Sequence, residues 1–129
     1  MLKRSDKYSD KYGKFGGQWD IVGGRIEPGK TLSKNLKREI KEETGQNWNE
    51  VSHLIAAQDI LSPDRHIVRL TFIGKVKNDF KVKIDEEHTD YKWFSLKQLK
   101  EIPKGKINDF VYELIKNKTL SNKSLERIY

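Results

Sequence analysis

The sequence predicts a small α+β domain, and three observations carry that expectation. An early amphipathic helix places Leu32, Leu36 and Ile40 four residues apart on one face. A strand-rich stretch follows, in which Val51 to Leu61 and His66 to Val76 flank a turn centred on Pro63 and Asp64, the pattern of an antiparallel hairpin. Near the end, Ile107 to Asn117 reads as a second amphipathic helix with Phe110, Val111, Leu114 and Ile115 inward. With 129 residues the chain is expected to form one domain, 1–129, around a single modest core.

In chain order, Met1 to Tyr8 holds the end of a strand, LKRS, and Ser9 to Gln18 is a loop broken by Gly13, Gly16 and Gly17. Trp19 to Val22 is a short buried strand in which Trp19 is a core anchor, because large aromatics dominate burial. Gly23 to Lys30 is a turn whose glycines let the backbone approach a ligand, and Thr31 or Ser33 caps the helix that runs to Thr44. After the hairpin, Phe80 to Ile84 is expected to add a strand, Asp85 to His88 an acidic loop, and Tyr91 to Phe94 a strand. Ser95 caps a short helix through Leu99, and Lys118 to Tyr129 is a basic tail.

The chemistry concentrates between Gly23 and Gly45, GGRIEPGKTLSKNLKREIKEETG. Glu39, Glu42 and Glu43 share the helix stripe beside the apolar one. Like charges at that spacing destabilise a helix by roughly 0.2–0.5 kcal/mol per pair. Glu42 and Glu43 also lie in the last turn before the expected left-handed stop at Gly45, where the helix dipole disfavours carboxylates. Such a cluster calls for a cation, and its hard oxygen donors suit Mg²⁺, with Mn²⁺ as a substitute. The plain alternative is a solvated face neutralised by Lys34, Lys37, Arg38 and Lys41.

This stretch resembles the Nudix box, G-x5-E-x7-R-E-U-x-E-E-x-G-U with U apolar. Gly24, Arg38, Glu39, Ile40, Glu42, Glu43 and Gly45 match it, and Gly23 and Glu27 fit the usual GGxxExG lead-in. Lys30 stands where the first box glutamate belongs, and Gln46 replaces the final apolar residue. The resemblance implies a Nudix fold, a mixed β-sheet between helices in an α/β/α sandwich. LKRS resembles the end of the family's early strand, so the usual first N-terminal strand is expected to lie upstream of Met1, to be lacking, or to be supplied by a partner chain, the last of which points to a homodimer.

The resemblance further implies a nucleotide pyrophosphohydrolase. Its expected reaction is Mg²⁺-dependent hydrolysis of a phosphoanhydride bond in a nucleoside diphosphate linked to another group: a nucleotide sugar, ADP-ribose, a dinucleoside polyphosphate or a nucleoside triphosphate. Arg38, Glu39, Glu42 and Glu43 are its implied catalytic residues. Glu39, Glu42 and Glu43, with the Gly23 carbonyl, are its implied metal ligands. Arg25 and Lys30 are candidates for phosphate binding, and Glu86 and Glu87 for an acid that completes the metal site or acts as base. Two alternatives stand beside it. One is a catalytically silent nucleotide-binding module in which Lys30 competes with a metal ion. The other is a phosphate loop, since Gly24 to Thr31 satisfies G-x-x-x-x-G-K-[ST], although Pro28 lacks an NH and Glu27 would bring a carboxylate into the cradle.

Composition narrows the partners. The chain has no cysteine, which removes disulfides and thiolate metal sites and suits a reducing cytoplasm, and His53, His66 and His88 lack ligand spacing. The start MLKRSDKYSD lacks the apolar stretch of a signal peptide, and no apolar run approaches the roughly 18 residues of a membrane span. A net charge of +7 favours a polyanionic partner. Because the lysines are dispersed and not clustered with aromatics, a solvated basic surface is expected and a nucleic-acid groove is not, and the small nucleotide is the partner that the family resemblance implies.

Overall fold

The computed structural model describes residues 1–8, 16–48, 53–77 and 79–120. Along the chain run β1 (Leu2–Arg4), β2 (Trp19–Asp20), α1 (Leu32–Thr44), β3 (His53–Ser62), β4 (Arg65–Ile73), β5 (His88–Tyr91), α2 (Leu96–Glu101) and α3 (Asp109–Lys116). The α+β class is therefore observed. Most of the expected loop Ser9 to Gln18, the first two residues of the strand expected from Val51, and most of the tail lie outside the described residues.

β1 is the centre of a three-stranded sheet, with Leu2 opposite both Asp20 of β2 and Tyr91 of β5. Both of its sides are thus paired, and the outer strands of this sheet are β2 and β5. The hairpin β3–β4 forms a second ladder from Ser62–Arg65 to His53–Ile73, with a register shift between Leu54 and Ala56. At its tip the Ser62 hydroxyl lies within hydrogen-bond reach of Asp64 Oδ1 and the Arg65 carbonyl, closing the Pro63–Asp64 turn. Among the described residues all three strand pairings are antiparallel, and the parallel pairing expected of a mixed sheet is confined to a bridge between Trp19 and Ile107.

Two expected strands are placed differently. Phe80 to Ile84 is not a strand, because its backbone is used elsewhere: Phe80 N–H donates to the Lys77 carbonyl, and Lys83 N–H donates to the Thr44 carbonyl at 2.8 Å, satisfying an end group of α1. The strand expected from Tyr91 to Phe94 lies upstream as β5, where β1 offers its rungs; Lys92 N–H to the Met1 carbonyl at 2.9 Å is the last of them.

The core gathers on α3. Ile107, Val111 and Ile115 are buried together, with Met1, Trp19, Ile21, Leu99 and Ile102 packed around them. Trp19 is the anchor expected of it: its ring meets Phe94 edge-on at 5.1 Å, its backbone N–H donates to the Lys106 carbonyl, and its carbonyl accepts from Asn108 N–H. Asn108 caps α3 through Phe110 N–H, and its Oδ1 also accepts from Arg69 of β4 at 3.2 Å. Arg69 reaches on to Asp20 at 2.8 Å, so one guanidinium joins the hairpin to β2 and α3 at the point where the chain enters the glycine turn. Among the described residues, no helix is long and apolar enough to cross a membrane.

Candidate active site

The site begins at α1, whose limits follow from its end groups. Thr31 is the cap, its hydroxyl accepting from Lys34 N–H, and Gly45 closes the helix in the left-handed region at φ 70°, donating its N–H to the Lys41 carbonyl. The buried residues of α1 are Asn35, Ile40, Glu43 and Thr44. Asn35, Glu39 and Glu43 are four apart, so a polar stripe runs beside the apolar one on the inward side.

The glycine turn lies antiparallel along that stripe, one contact per step. Gly23 N–H donates to Glu43 Oε2 at 3.1 Å. Gly24 lies against Glu39 so closely that a Cβ there would stand 2.3 Å from the carboxylate. The Arg25 carbonyl accepts from Arg38, and Glu27 N–H donates to Asn35 Oδ1 at 2.8 Å. The Asn35 amide nitrogen, in turn, donates to the Thr31 carbonyl at 3.0 Å and the Lys30 carbonyl at 3.3 Å. A single buried amide therefore fixes the backbone from 27 to 31.

Arg38 is the hub. Its terminal nitrogens donate to Glu42 Oε2 at 2.7 Å and Glu39 Oε1 at 2.6 Å, and its Nε lies 3.2 Å from Glu27 Oε1. That last contact has ion-pair distance without hydrogen-bond alignment, since Arg38 Nε is buried and makes no hydrogen bond. Lys30 is ion-paired to the other oxygen of Glu27. Hydrogen bonding from Lys30 first, and then the charges of Arg38 and Lys30, hold the Glu27 carboxyl below its usual range against partial desolvation.

Glu43 lies in the opposite environment. It is 8% exposed, and burial, followed by the neighbouring acids Asp85, Glu39 and Asp20, pushes its carboxyl up from 4.5 to about 8 despite the Gly23 N–H. Asp85 is held by His88, whose buried Nδ1 is 2.6 Å from its Oδ1, and by Glu87 N–H. The side chains of Glu86 and Glu87 are exposed, while the Glu87 carbonyl accepts from Ser5 N–H and ties the loop to β1. Arg25 is exposed, its carbonyl used by Arg38.

The structure thus brings Gly23, Arg38, Glu39, Glu42 and Glu43 together around the turn, leaves Lys30 beside Glu27, and puts Asp85, the first acid of its loop, nearest in charge to Glu43. Asn35, Asp20 and Asp85 escaped sequence reasoning. Asn35 carried a signal, since it continues the Glu39–Glu43 spacing; Asp20 and Asp85 carried none without the fold.

Among the described residues no three acid or histidine side chains form a ready chelating group, because Arg38 draws Glu39 and Glu42 to itself. It engages one oxygen of each, which leaves the second carboxylate oxygen of Glu39 and of Glu42 outside those two bonds. In donor chemistry and charge these residues fit a hard divalent cation. Alongside runs a cavity of about 920 Å³ bordered by Gly23, Gly24 and Glu39, with Leu36, Phe72 and Trp93 among its apolar walls.

A sequence profile of the NUDIX domain matches residues 1–116, and the chain belongs to the Nudix family. It is an enzyme of the Nudix pyrophosphohydrolase class, whose members act on phosphoanhydride bonds of small nucleotides and use divalent metal ions. Nucleoside triphosphatase NudI of Escherichia coli O17:K52:H18 (strain UMN026 / ExPEC) is 35% identical over 97 residues, covering 67% of this chain and 68% of the relative. The NudI of Escherichia coli strain K12 matches to the same extent. In fold, the chain is similar to the crystal structure of the MutT protein from Methanosarcina mazei Go1, with a TM-score of 0.72 at 24% identity over 93% of this chain and 83% of that one.

Proposed function

We propose that this chain, as one domain, hydrolyses a phosphoanhydride bond in a nucleoside diphosphate linked to a further group, with Mg²⁺ as the metal and a nucleoside triphosphate as the first substrate to test. The observation that carries this reading is the convergence of Glu39, Glu42 and Glu43 beside the glycine turn, where Gly23 N–H meets Glu43 and Gly24 lies against Glu39, a set of hard oxygen donors that suits a divalent cation. The name of the NudI relatives, nucleoside triphosphatase, directs the choice of first substrate.

Glu39, Glu42 and Glu43, with the Gly23 carbonyl, would hold the metal. Bound there, Mg²⁺ supplies neutralisation of phosphate oxygens and a lowered pKa for water. The chain's own residues set the frame. Arg38 fixes the rotamers of Glu39 and Glu42 by charge-assisted hydrogen bonds. Arg25, exposed on the turn, attracts the phosphates, whereas Lys30, the other candidate, is ion-paired to Glu27; the apolar cavity, within the usual range for a small-molecule site of roughly 300–1,000 Å³, excludes water from the nucleoside. Asp85 joins Glu86 and Glu87 as a candidate for the late-loop acid, and His88 orients it.

Competition of Lys30 with a metal ion, one ground for a silent module, is opposed by the ion pair of Lys30 with Glu27. The phosphate-loop alternative needs free backbone NH groups, and those of Glu27 and Lys30 are taken by Asn35 and by the Glu27 carbonyl. A cytoplasmic location, consistent with the absence of cysteine, and a homodimer complete the reading. Light scattering at monomer mass would remove the dimer.

The test is product release from a panel of nucleoside triphosphates, ADP-ribose, nucleotide sugars and dinucleoside polyphosphates, with Mg²⁺ and with chelator, beside Glu42→Gln. Turnover that needs Mg²⁺ and falls at least about a hundredfold in the variant is expected. Equal turnover in chelator would overturn the metal assignment.

A further inference from the structure

The box resemblance puts a glutamate at position 30, and this chain has Lys30 there. The geometry around Arg38 points to what compensates. Its guanidinium is surrounded by Glu27, Glu39 and Glu42, and Glu27 stands between two cations, Oε1 toward Arg38 Nε at 3.2 Å and Oε2 toward Lys30 Nζ. Charges alternate along Lys30, Glu27, Arg38 and then Glu39 with Glu42. A glutamate at 30 would reverse the sign of the first member and set two carboxylates side by side.

The placement of Glu27 is built into the fold. Its backbone N–H is held by Asn35, which is 4% exposed, and its carbonyl accepts from Lys30 N–H. The same Asn35 amide clamps the carbonyls of Lys30 and Thr31. Both ends of the segment that carries Glu27 and Lys30 are therefore pinned to α1, one turn before Glu39.

We propose that Glu27 is the positioning residue for Arg38 in this enzyme, and that Lys30 holds Glu27 in that role; the inference rests on the reading of Arg38, Glu39 and Glu42 as hydrolytic machinery. Arg38 Nε is buried without a hydrogen bond, so Glu27 is its charge partner, and it fixes the guanidinium plane from which Glu39 and Glu42 take their rotamers. Without Glu27 the guanidinium has no partner on that side, and Lys30 is left unpaired beside it.

The experiment compares wild type, Glu27→Gln, Lys30→Met, the double variant Glu27→Gln/Lys30→Glu and Glu42→Gln, by steady-state kinetics with Mg²⁺ and by the NMR signal of the Arg38 Nε–H group in the metal-free protein. Glu27→Gln is expected to lower kcat about tenfold with KM within about twofold, and to broaden the Arg38 signal by faster exchange with water. Lys30→Met gives a smaller loss in the same sense. The double variant, which returns a carboxylate to the neighbourhood of Arg38, recovers kcat to within about threefold of wild type. An unchanged kcat and an unchanged Arg38 signal in Glu27→Gln would overturn the inference. So would an effect confined to a higher Mg²⁺ requirement at unchanged saturating kcat, since that would make Glu27 a ligand. If wild type turns over no substrate in the panel, the functional reading fails, and the Arg38 signal still decides the positioning claim.

Discussion

Glu43 and Arg38 are five residues apart on one helix and live in opposite electrostatic surroundings. Arg38 sits among acids that stabilise its charge, whereas Glu43 faces acids with little but the Gly23 N–H to offset them. Its raised pKa makes a stability prediction whose sign is fixed. Between its ordinary 4.5 and about 8 the folded, metal-free chain keeps a proton on Glu43 that the unfolded chain has lost. The contribution of that proton is complete below 4.5 and disappears as the pH rises through about 8. In chelator, the stability of wild type relative to Glu43→Gln should therefore fall across that window in urea unfolding; a flat difference would contradict the burial of this carboxyl. Gly24 belongs to the same scale. A Cβ there would stand 2.3 Å from the Glu39 carboxylate, so Gly24→Ala must displace Glu39. The expected result is about a hundredfold loss of kcat in a folded protein, as for an ångström-scale misplacement of a catalytic group.

At the scale of the element, α1 is a helix whose ends were legible and whose inner face was only half so. The Thr31 cap and the Gly45 stop follow from local rules that a sequence displays. Gly45 has φ 70°, and a Cβ on it would meet Lys83 Cβ at 3.2 Å. Gly45→Ala should cost about 1–2 kcal/mol of unfolding free energy, measured by denaturant titration. The stripe of Glu39, Glu42 and Glu43 was legible because it repeats with the helix. The pairing of Arg38 with Glu27 was not, because it depends on how the turn folds back over the helix. The same limit explains Asp85: Glu86 and Glu87 are its neighbours in the chain, and only the fold brings its charge to bear on Glu43. Phe80 to Ile84 reads as a strand by composition, yet its backbone serves the end of α1, a tertiary demand that local propensity does not encode.

Across the whole molecule, the site hangs from a small core. β2 delivers the chain to the glycine turn and is bolted to α3 by Trp19 and, through Arg69 and Asp20, to the hairpin. Ile107 is fully buried at that junction, and Ile107→Ala should destabilise the fold by about 2–5 kcal/mol while Ile107→Val costs about 0.5–1.5 kcal/mol. If both variants unfold like wild type, the core has been misplaced. Metal-dependent hydrolysis by the α1 carboxylates is tested most directly by the kcat of Glu43→Gln with a nucleoside triphosphate at saturating Mg²⁺, alongside its thermal unfolding. The account predicts a folded protein, as stable as wild type or more so in chelator, with kcat reduced at least about a hundredfold. A folded Glu43→Gln variant with wild-type kcat would contradict it.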